Sequence, residues 1–451
     1  MDPGHDVKIL CLFPRQRRSG GKSIIHTAAS MRKGSWLQRI DLFRQDNEIW
    51  ELFTRKEEYD GCSRDCYDRF PYYRSRHRDI FVPRASEMLM ENGYYCEYPD
   101  DQPFAICLTH DIDTVYRPLH SKVYEIVCAL KHRDFAQAGC IVPQLCSKKR
   151  PEWNFSEIVD LEESYGACSS FYFLALEKGD EDYTYAIEDL EREMCMLQDR
   201  GWEIGLHGGG EAYRDSERLQ REKRHLEKVL NRTVYGYRNH FLKFRVPDTW
   251  ELLERAGFRY DTTLGYPDCV GFRNGMCHPF HPFNLNTNRR MEILEIPLTI
   301  MDQTLFSYMR LNMEQAWTLT KGLLETVEKH NGVITILWHN TYMTGAPLRF
   351  YSKILKYGRE RGAWMTNCKE IETWWQKGGM RSPHEIQRHR SPPPFAYLSP
   401  DDISASLPVS PIIEGDLTVL SKQRVCEREH TPTIFTRLLQ NKGSAAKGQK
   451  R

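Results

Sequence analysis

Nothing in these 451 residues approaches the run of about 20 apolar residues that a membrane-spanning helix needs. Charge of one sign is missing too. The chain has 63 Lys and Arg against 62 Asp and Glu, a net charge of +1. No global field attracts nucleic acid, and none is expected as a partner. Internal repeats and heptad arrays are absent, which excludes solenoids and long coiled coils. A secretory leader is not expected either. The apolar patch Ile9 to Phe13 is short, lacks a small-residue cleavage site and runs into Arg15, Arg17 and Arg18. Close cysteine pairs are scarce among the 14 cysteines: Cys62 and Cys66 could begin a zinc site, but no second pair stands nearby. Free thiols in a reducing cytoplasm are the expectation.

What is present describes a globular chain. Apolar residues make up 40% and aromatics 12%, enough for a sizeable core. Three zones follow one another. Residues 1–100 are mixed and rich in Arg, Asp and Tyr, and are expected to form an N-terminal α/β extension. Residues 101–378 alternate apolar runs with amphipathic runs. Residues 379–451 turn polar, with Pro392-Pro393-Pro394 and a basic end, the composition of a disordered tail.

The middle zone carries the fold. Short apolar runs at Ala105 to Leu108, Ser169 to Phe173, Glu203 to Leu206, Val234 to Tyr237, Ile293 to Met301 and Val333 to Trp338 read as strands. Helical spacing fills the intervals, as in Tyr183 to Arg200, Asp215 to Leu230, Met313 to His330 and Phe350 to Arg361. Alternating strands and helices imply parallel pairing through right-handed crossovers. The expected fold is α/β, a distorted (β/α) barrel of about seven parallel strands. In such folds chemistry gathers at the C-terminal ends of the strands.

Four of those ends carry reactive groups. The first delivers Thr109-His110-Asp111-Ile112-Asp113, the Glu203 run His207 and then Gly208-Gly209-Gly210. The Val234 run delivers Arg238, Asn239 and His240, and the Val333 run His339 and Asn340. Any one of these could be an N-cap or a surface ion pair. Four together point to a divalent metal held by His and Asp, with a carboxylate as base, an Arg that keeps it ionised, and a separate His as acid. Such a set hydrolyses an amide or an ester.

On these residues the chain resembles the polysaccharide deacetylase (NodB-like, carbohydrate esterase family 4-related) superfamily over residues 101–378. The likeness is closest to a divergent bacterial and archaeal branch with His-Asp-x-Asp and Arg-x-His motifs. The resemblance implies a barrel that removes acetyl groups from N-acetylated sugars with one divalent ion, zinc or else Co, Ni, Mn or Fe. It implies Asp111 as base, Arg238 orienting it, and His339 as acid. Asp113, His207 and His240 are the implied ligands, and Leu337 lines the acetyl pocket. Two points stay open. Glu211, four residues after His207, is an alternative third ligand or a substrate contact, and the roles of Asp111 and Asp113 could be exchanged. His278, in Cys277-His278-Pro279-Phe280, either lines the substrate cleft or belongs to a Pro-punctuated loop. Alternative activities are hydrolysis of another C–N amide or ureide, or glycan binding without catalysis. A carbohydrate or glycoconjugate is the expected partner, and the sequence leaves the oligomeric state open.

Overall fold

The computed structural model describes residues 38–59, 61, 63–116, 127 and 152–383. All of these lie in the first of the two units into which the chain divides, residues 1–390 and 391–451. The Ile9 to Phe13 patch, Cys62 and the tail beyond residue 383 lie outside the described residues.

The described residues begin in a helical stretch at 38–43, followed by helices α1 (Asn47–Thr54) and α2 (Arg84–Glu91) and the short strand β1 (Tyr95–Cys96). Strand β2 (Ala105–Ile112) follows, and all eight of its residues are buried. The alternation then proceeds as α3 (Phe155–Ser164), β3 (Ser170–Leu174), α4 (Glu191–Asp199), β4 (Glu203–Gly208), α5 (Ser216–Leu230), β5 (Gly236–Asn239), α6 (Asp248–Arg255) and β6 (Tyr260–Asp261). A short antiparallel pair, β7 (Phe283–Asn284) and β8 (Arg289–Arg290), precedes β9 (Leu294–Glu295) and β10 (Leu298–Met301). Next come α7 (Met313–Lys329), β11 (Val333–Leu337), α8 (Gly345–Glu360), β12 (Trp364–Thr366), α9 (Cys368–Gln376) and β13 (Met380–Arg381).

The main sheet has nine strands in the order β10-β11-β2-β3-β4-β5-β6-β9, with β12 also paired to β2. Every pairing in it is parallel. Its edge strands β9 and β10 are consecutive in the chain. Glu295 ends one and Leu298 begins the other, so at that point the edges are at most about 11 Å apart. The sheet must therefore curl, and the result is a distorted (β/α) barrel.

The apolar run Ile293 to Met301 does not form one strand. Pro297 has no backbone N–H to offer a ladder and the run breaks there, placing its halves at opposite edges. The Val234 run also shifts: its strand begins at Gly236 and includes Arg238 and Asn239. Helix α5 starts where expected, because Asp215 Oδ1 accepts from the backbone N–H of Glu217 and Arg218. Its Leu219, Leu226 and Leu230 are buried.

Inside the sheet, tyrosines of one strand lie over glycines of the next. A Cβ on Gly205 would collide with the Tyr172 ring, and one on Gly236 with the Tyr260 hydroxyl. The two hydroxyls then meet at 3.0 Å. These rings fill the interior where the parallel strands converge, beneath the functional end.

Candidate functional site

Strand β2 carries Asp111 near its C-terminal end, with Asp113 one residue beyond it. The carboxylate of Asp111 is 2% exposed. Its Oδ1 lies 4.0 Å from Arg238 Nε and its Oδ2 3.8 Å from His207 Nε2. Arg238 is fully buried on β5. Its Nη2 donates to Thr109 Oγ1 at 2.9 Å and Thr262 Oγ1 at 3.3 Å, and its guanidinium lies 5.3 Å from the Tyr172 ring centre. Burial opposes the charge on Arg238, but Asp111, Tyr172, Cys368 and Asp261 together outweigh it and raise its pKa.

Asp113, His207 and His240 bring one ligand atom each within 4.8 Å of one another. His207 Nδ1 faces the carbonyl oxygen of Arg238 at 3.1 Å and donates to it, which leaves the Nε2 lone pair turned toward Asp113. His207 Nε2 and Asp113 Oδ1 are 3.2 Å apart, yet both are buried without a completed hydrogen bond. On His240, Nδ1 lies 3.3 Å from Asp182 Oδ2 and Nε2 lies 3.8 Å from Asp113 Oδ1. Burial would raise the Asp113 carboxyl, but His339, His240 and His207 together hold it far below the usual range. Two imidazoles and a carboxylate, with Asp113 Oδ1, His207 Nε2 and His240 Nδ1 buried without a hydrogen bond, form a donor set suited to zinc or a similar ion.

His339 stands across from this set, two residues beyond β11. Its Nδ1 donates to Asp302 Oδ1 at 2.7 Å, and its backbone N–H donates to Asp302 Oδ2 at 2.6 Å. Its Nε2 is 3.6 Å from Asp113 Oδ2. Burial works against an imidazolium here, but the carboxylates of Asp302 and Asp113 prevail and push its pKa up to about 10.

Two carboxylates in this arrangement went unnoticed in the sequence. Asp302 follows an apolar run just as the other reactive residues do, so the signal was available. Asp182 sits in the irregular segment after β3, and nothing in its spacing marks it. Leu337 is fully buried and groups with Leu242, Leu298 and Met301 in an apolar cluster separate from the main core.

Two expected substrate contacts have structural partners of their own. His278 lies at the opposite end of the barrel. Its Nδ1 is 2.9 Å from Ser86 Oγ and its Nε2 3.0 Å from the carbonyl of Asn331, just before β11 begins. Burial holds it neutral, with its pKa down at about 3. The structure does not bring this imidazole together with the cluster at the strand exits. The Glu211 carboxylate pairs with Arg214 and with Lys243 Nζ at 3.2 Å. Among the described residues, the ligand group contains His240 and not Glu211. His110 is structural as well: Nε2 lies 2.9 Å from Glu162 Oε1, in a buried network with Tyr351.

No family model matches the chain, and no curated protein matches it. Solved structures do. A polysaccharide-deacetylase-type protein of Mycobacterium smegmatis matches at 15% identity and a TM-score of 0.43, covering 66% of this chain and 97% of that one. A variant of peptidoglycan deacetylase PdaC from Bacillus subtilis matches at 14% identity and 0.34, covering 64% and 98%. BA3943 of Bacillus anthracis, a CE4 family pseudoenzyme, matches at 11% identity and 0.34, covering 62% and 68%. The likeness is one of fold. What the protein does is read from its own site. No helix among the described residues is long and apolar enough to cross a membrane.

Proposed function

We propose that this protein is a divalent-metal-dependent hydrolase that removes the acetyl group from an N-acetylated sugar or glycoconjugate. One observation carries the reading. The candidate ligands Asp113, His207 and His240 lie between the Asp111 carboxylate, backed by Arg238, and an imidazolium, His339, backed by Asp302. A base on one side and an acid on the other is what acyl transfer from an amine requires.

Asp113, His207 and His240 would hold the ion, zinc or one of Co, Ni, Mn and Fe. Bound there, the ion supplies Lewis acidity to the acyl carbonyl and lowers the pKa of the attacking water. Asp111 takes the proton from that water, and the Arg238 guanidinium 4.0 Å away orients it. His339 gives its Nε2 proton to the departing nitrogen. Asp302 supports that role, because a carboxylate on Nδ1 orients the ring and leaves Nε2 turned toward Asp113. The apolar cluster around Leu337 gives the acetyl methyl a place away from water. A reducing cytoplasm is the setting this reading favours, since the described cysteines are free thiols.

The test is elemental analysis of the purified full chain beside an acetate-release screen over N-acetylated sugars. One metal per chain and acetate release are expected. Asp111→Asn and His339→Ala should each lower the rate by about 10²–10⁴-fold while metal stays bound. Ring-opening of a small ureide without acetate release would transfer the same residues to another C–N substrate. Full metal occupancy with neither reaction would leave a binding protein.

A further inference from the structure

We infer that Asp261 and Glu295 share one proton inside the barrel and that this pair, through Thr262, positions Arg238. The inference rests on the hydrolase reading for the role of Arg238 beside Asp111.

The sheet itself brings the two acids together. Strands β6 and β9 run parallel, with Asp261 opposite Glu295. Both residues are fully buried. Like charges directly opposite one another on a sheet repel. Out of water, two carboxyl groups in hydrogen-bonding reach keep one proton between them. The other donors they meet are neutral. The Trp250 indole N–H donates to Glu295 Oε2 at 2.7 Å, and the Leu264 N–H donates to Oε1 at 3.2 Å. Thr263 donates to Asp261 twice, from its hydroxyl at 2.6 Å and from its N–H at 3.1 Å. Glu295 gives its proton to Asp261. Burial and the Asp261 charge push the Glu295 carboxyl well above the ordinary range. Burial raises Asp261 too, against the hydrogen bonds from Glu295 and Thr263 and the charge of Arg238. Tyr237 of β5 also faces Asp261, and burial keeps its phenol neutral.

The pair stands where Arg238 is held. Nε and Nη1 of Arg238 are buried without a hydrogen bond, so Nη2 fixes the guanidinium. One of its two acceptors is Thr262 Oγ1, at 3.3 Å, and that hydroxyl donates to the Ile296 carbonyl at 2.7 Å. Thr262 follows Asp261, and Ile296 follows Glu295. A second tie runs through the backbone. The Thr263 hydroxyl that donates to Asp261 accepts from the N–H of Asn239, the residue after Arg238, at 3.0 Å. With one proton the pair joins β6 to β9. Without it, two buried carboxylates push the strands apart, and the Thr262 contact loosens with them.

Urea unfolding of the full chain and of Glu295→Gln, between about pH 5.5 and 7.5, reads the proton. Above the ordinary carboxyl value the unfolded chain gives up the Glu295 proton and the folded chain keeps it. Stability therefore falls as pH rises, until the raised value is passed. Glutamine has no such proton to lose. Its unfolding constant, relative to that of the unmodified protein, should fall about ten-fold per pH unit. Parallel curves would overturn the shared proton. Nitrogen NMR of arginine-labelled protein reads the positioning, with the Arg238 signal assigned by its loss in Arg238→Lys. Guanidinium protons should exchange with water about ten-fold faster in Glu295→Leu, and within about two-fold of the unmodified rate in Glu295→Gln, which keeps a donor toward Asp261. If Glu295→Leu does not fold, Thr262→Val replaces it, since that change removes the hydroxyl joining Arg238 to Ile296. Unaltered exchange would overturn the positioning role. Acetate release should show kcat lowered by about 10²-fold in Glu295→Leu, with KM and metal content unmoved, and restored to within about three-fold in Glu295→Gln. Diverging unfolding curves and faster exchange in a protein that releases no acetate remove the hydrolase and keep the pair. Acetate release with the same kcat in Glu295→Leu keeps the hydrolase and removes the positioning.

Discussion

Asp302 governs what His339 can do. A buried imidazole ordinarily loses its proton, because burial penalises the charged form. Here Asp302 accepts from both Nδ1 and the backbone N–H of His339, and the proton is retained through neutral pH. Asp302→Asn keeps the shape and removes the charge. It should cut acetate release by about 10²–10⁴-fold with metal content unchanged. Turnover close to that of the unmodified protein would remove His339 from the acid role. His278 shows the opposite balance, since no carboxylate offsets its burial and its pKa falls to about 3. Below the ordinary value of 6.5 the unfolded chain takes up a proton that the folded chain refuses. The stability contribution of a neutral His278 is therefore complete above that pH and declines as pH falls toward 3. Between pH 7 and 5 the loss from this one group is about 2 kcal/mol. His278→Gln should flatten that part of the pH dependence of urea midpoints. An unchanged slope would mean that other groups set the acid sensitivity.

Strands and helices were the most legible elements, and the reason is local. Runs such as Val333 to Leu337 are apolar because both faces are covered, and α5 announces its start through Asp215. Less visible was which strand neighbours which, because pairing depends on interior filling. Gly205 shows this. On β4 it sits under Tyr172 of β3, which in turn lies beneath Arg238. Gly205→Ala would force the Tyr172 ring aside. A loss of about 1–3 kcal/mol in unfolding free energy is expected, accompanied by reduced activity, because the Arg238 guanidinium rests on that ring. Wild-type stability in this variant would show that the strands can separate to admit a methyl. The reactive residues were legible because each follows an apolar run and only four kinds of group were needed. Asp302 escaped notice although it meets the same criterion, and Asp182 meets no local criterion at all. His278 stayed open between the substrate cleft and a Pro-punctuated loop because a histidine beside a proline looks alike at either end of a barrel.

At the scale of the molecule, the segment before β2 had no readable signal, and its contacts explain why. They are made with residues about two hundred positions away. Helix α1 buries Ile49, Leu52 and Phe53, and Phe53 meets Phe280 at 5.4 Å. Strand β1 pairs with β13 near the other end of the described chain. Arg55 and Arg273, both fully buried, converge on Glu58. Arg55 Nε donates to Glu58 Oε1 at 2.8 Å, and Arg273 Nη2 donates to Oε2 at 2.6 Å. Burial alone would raise the Glu58 carboxyl, but the two guanidinium groups hold it below its ordinary value, so it is ionised. Its stability contribution is present above the unfolded pKa and declines as pH falls through the lowered one. Removing that charge takes the Glu58 carboxylate from the buried Arg273 and leaves Arg55 with Glu57. Glu58→Gln should therefore cost about 3–5 kcal/mol of unfolding free energy, far more than an exposed pair. Because Arg273 also donates to the Gly265 carbonyl at 2.8 Å, the loss should reach the loop between β6 and β9. A chain beginning at residue 101 should fare worse, since it lacks Glu58, Arg55 and the apolar face of α1 together. Circular dichroism and urea unfolding of the two proteins decide the matter. A cooperative transition of wild-type midpoint in the shortened chain would make the segment dispensable for folding.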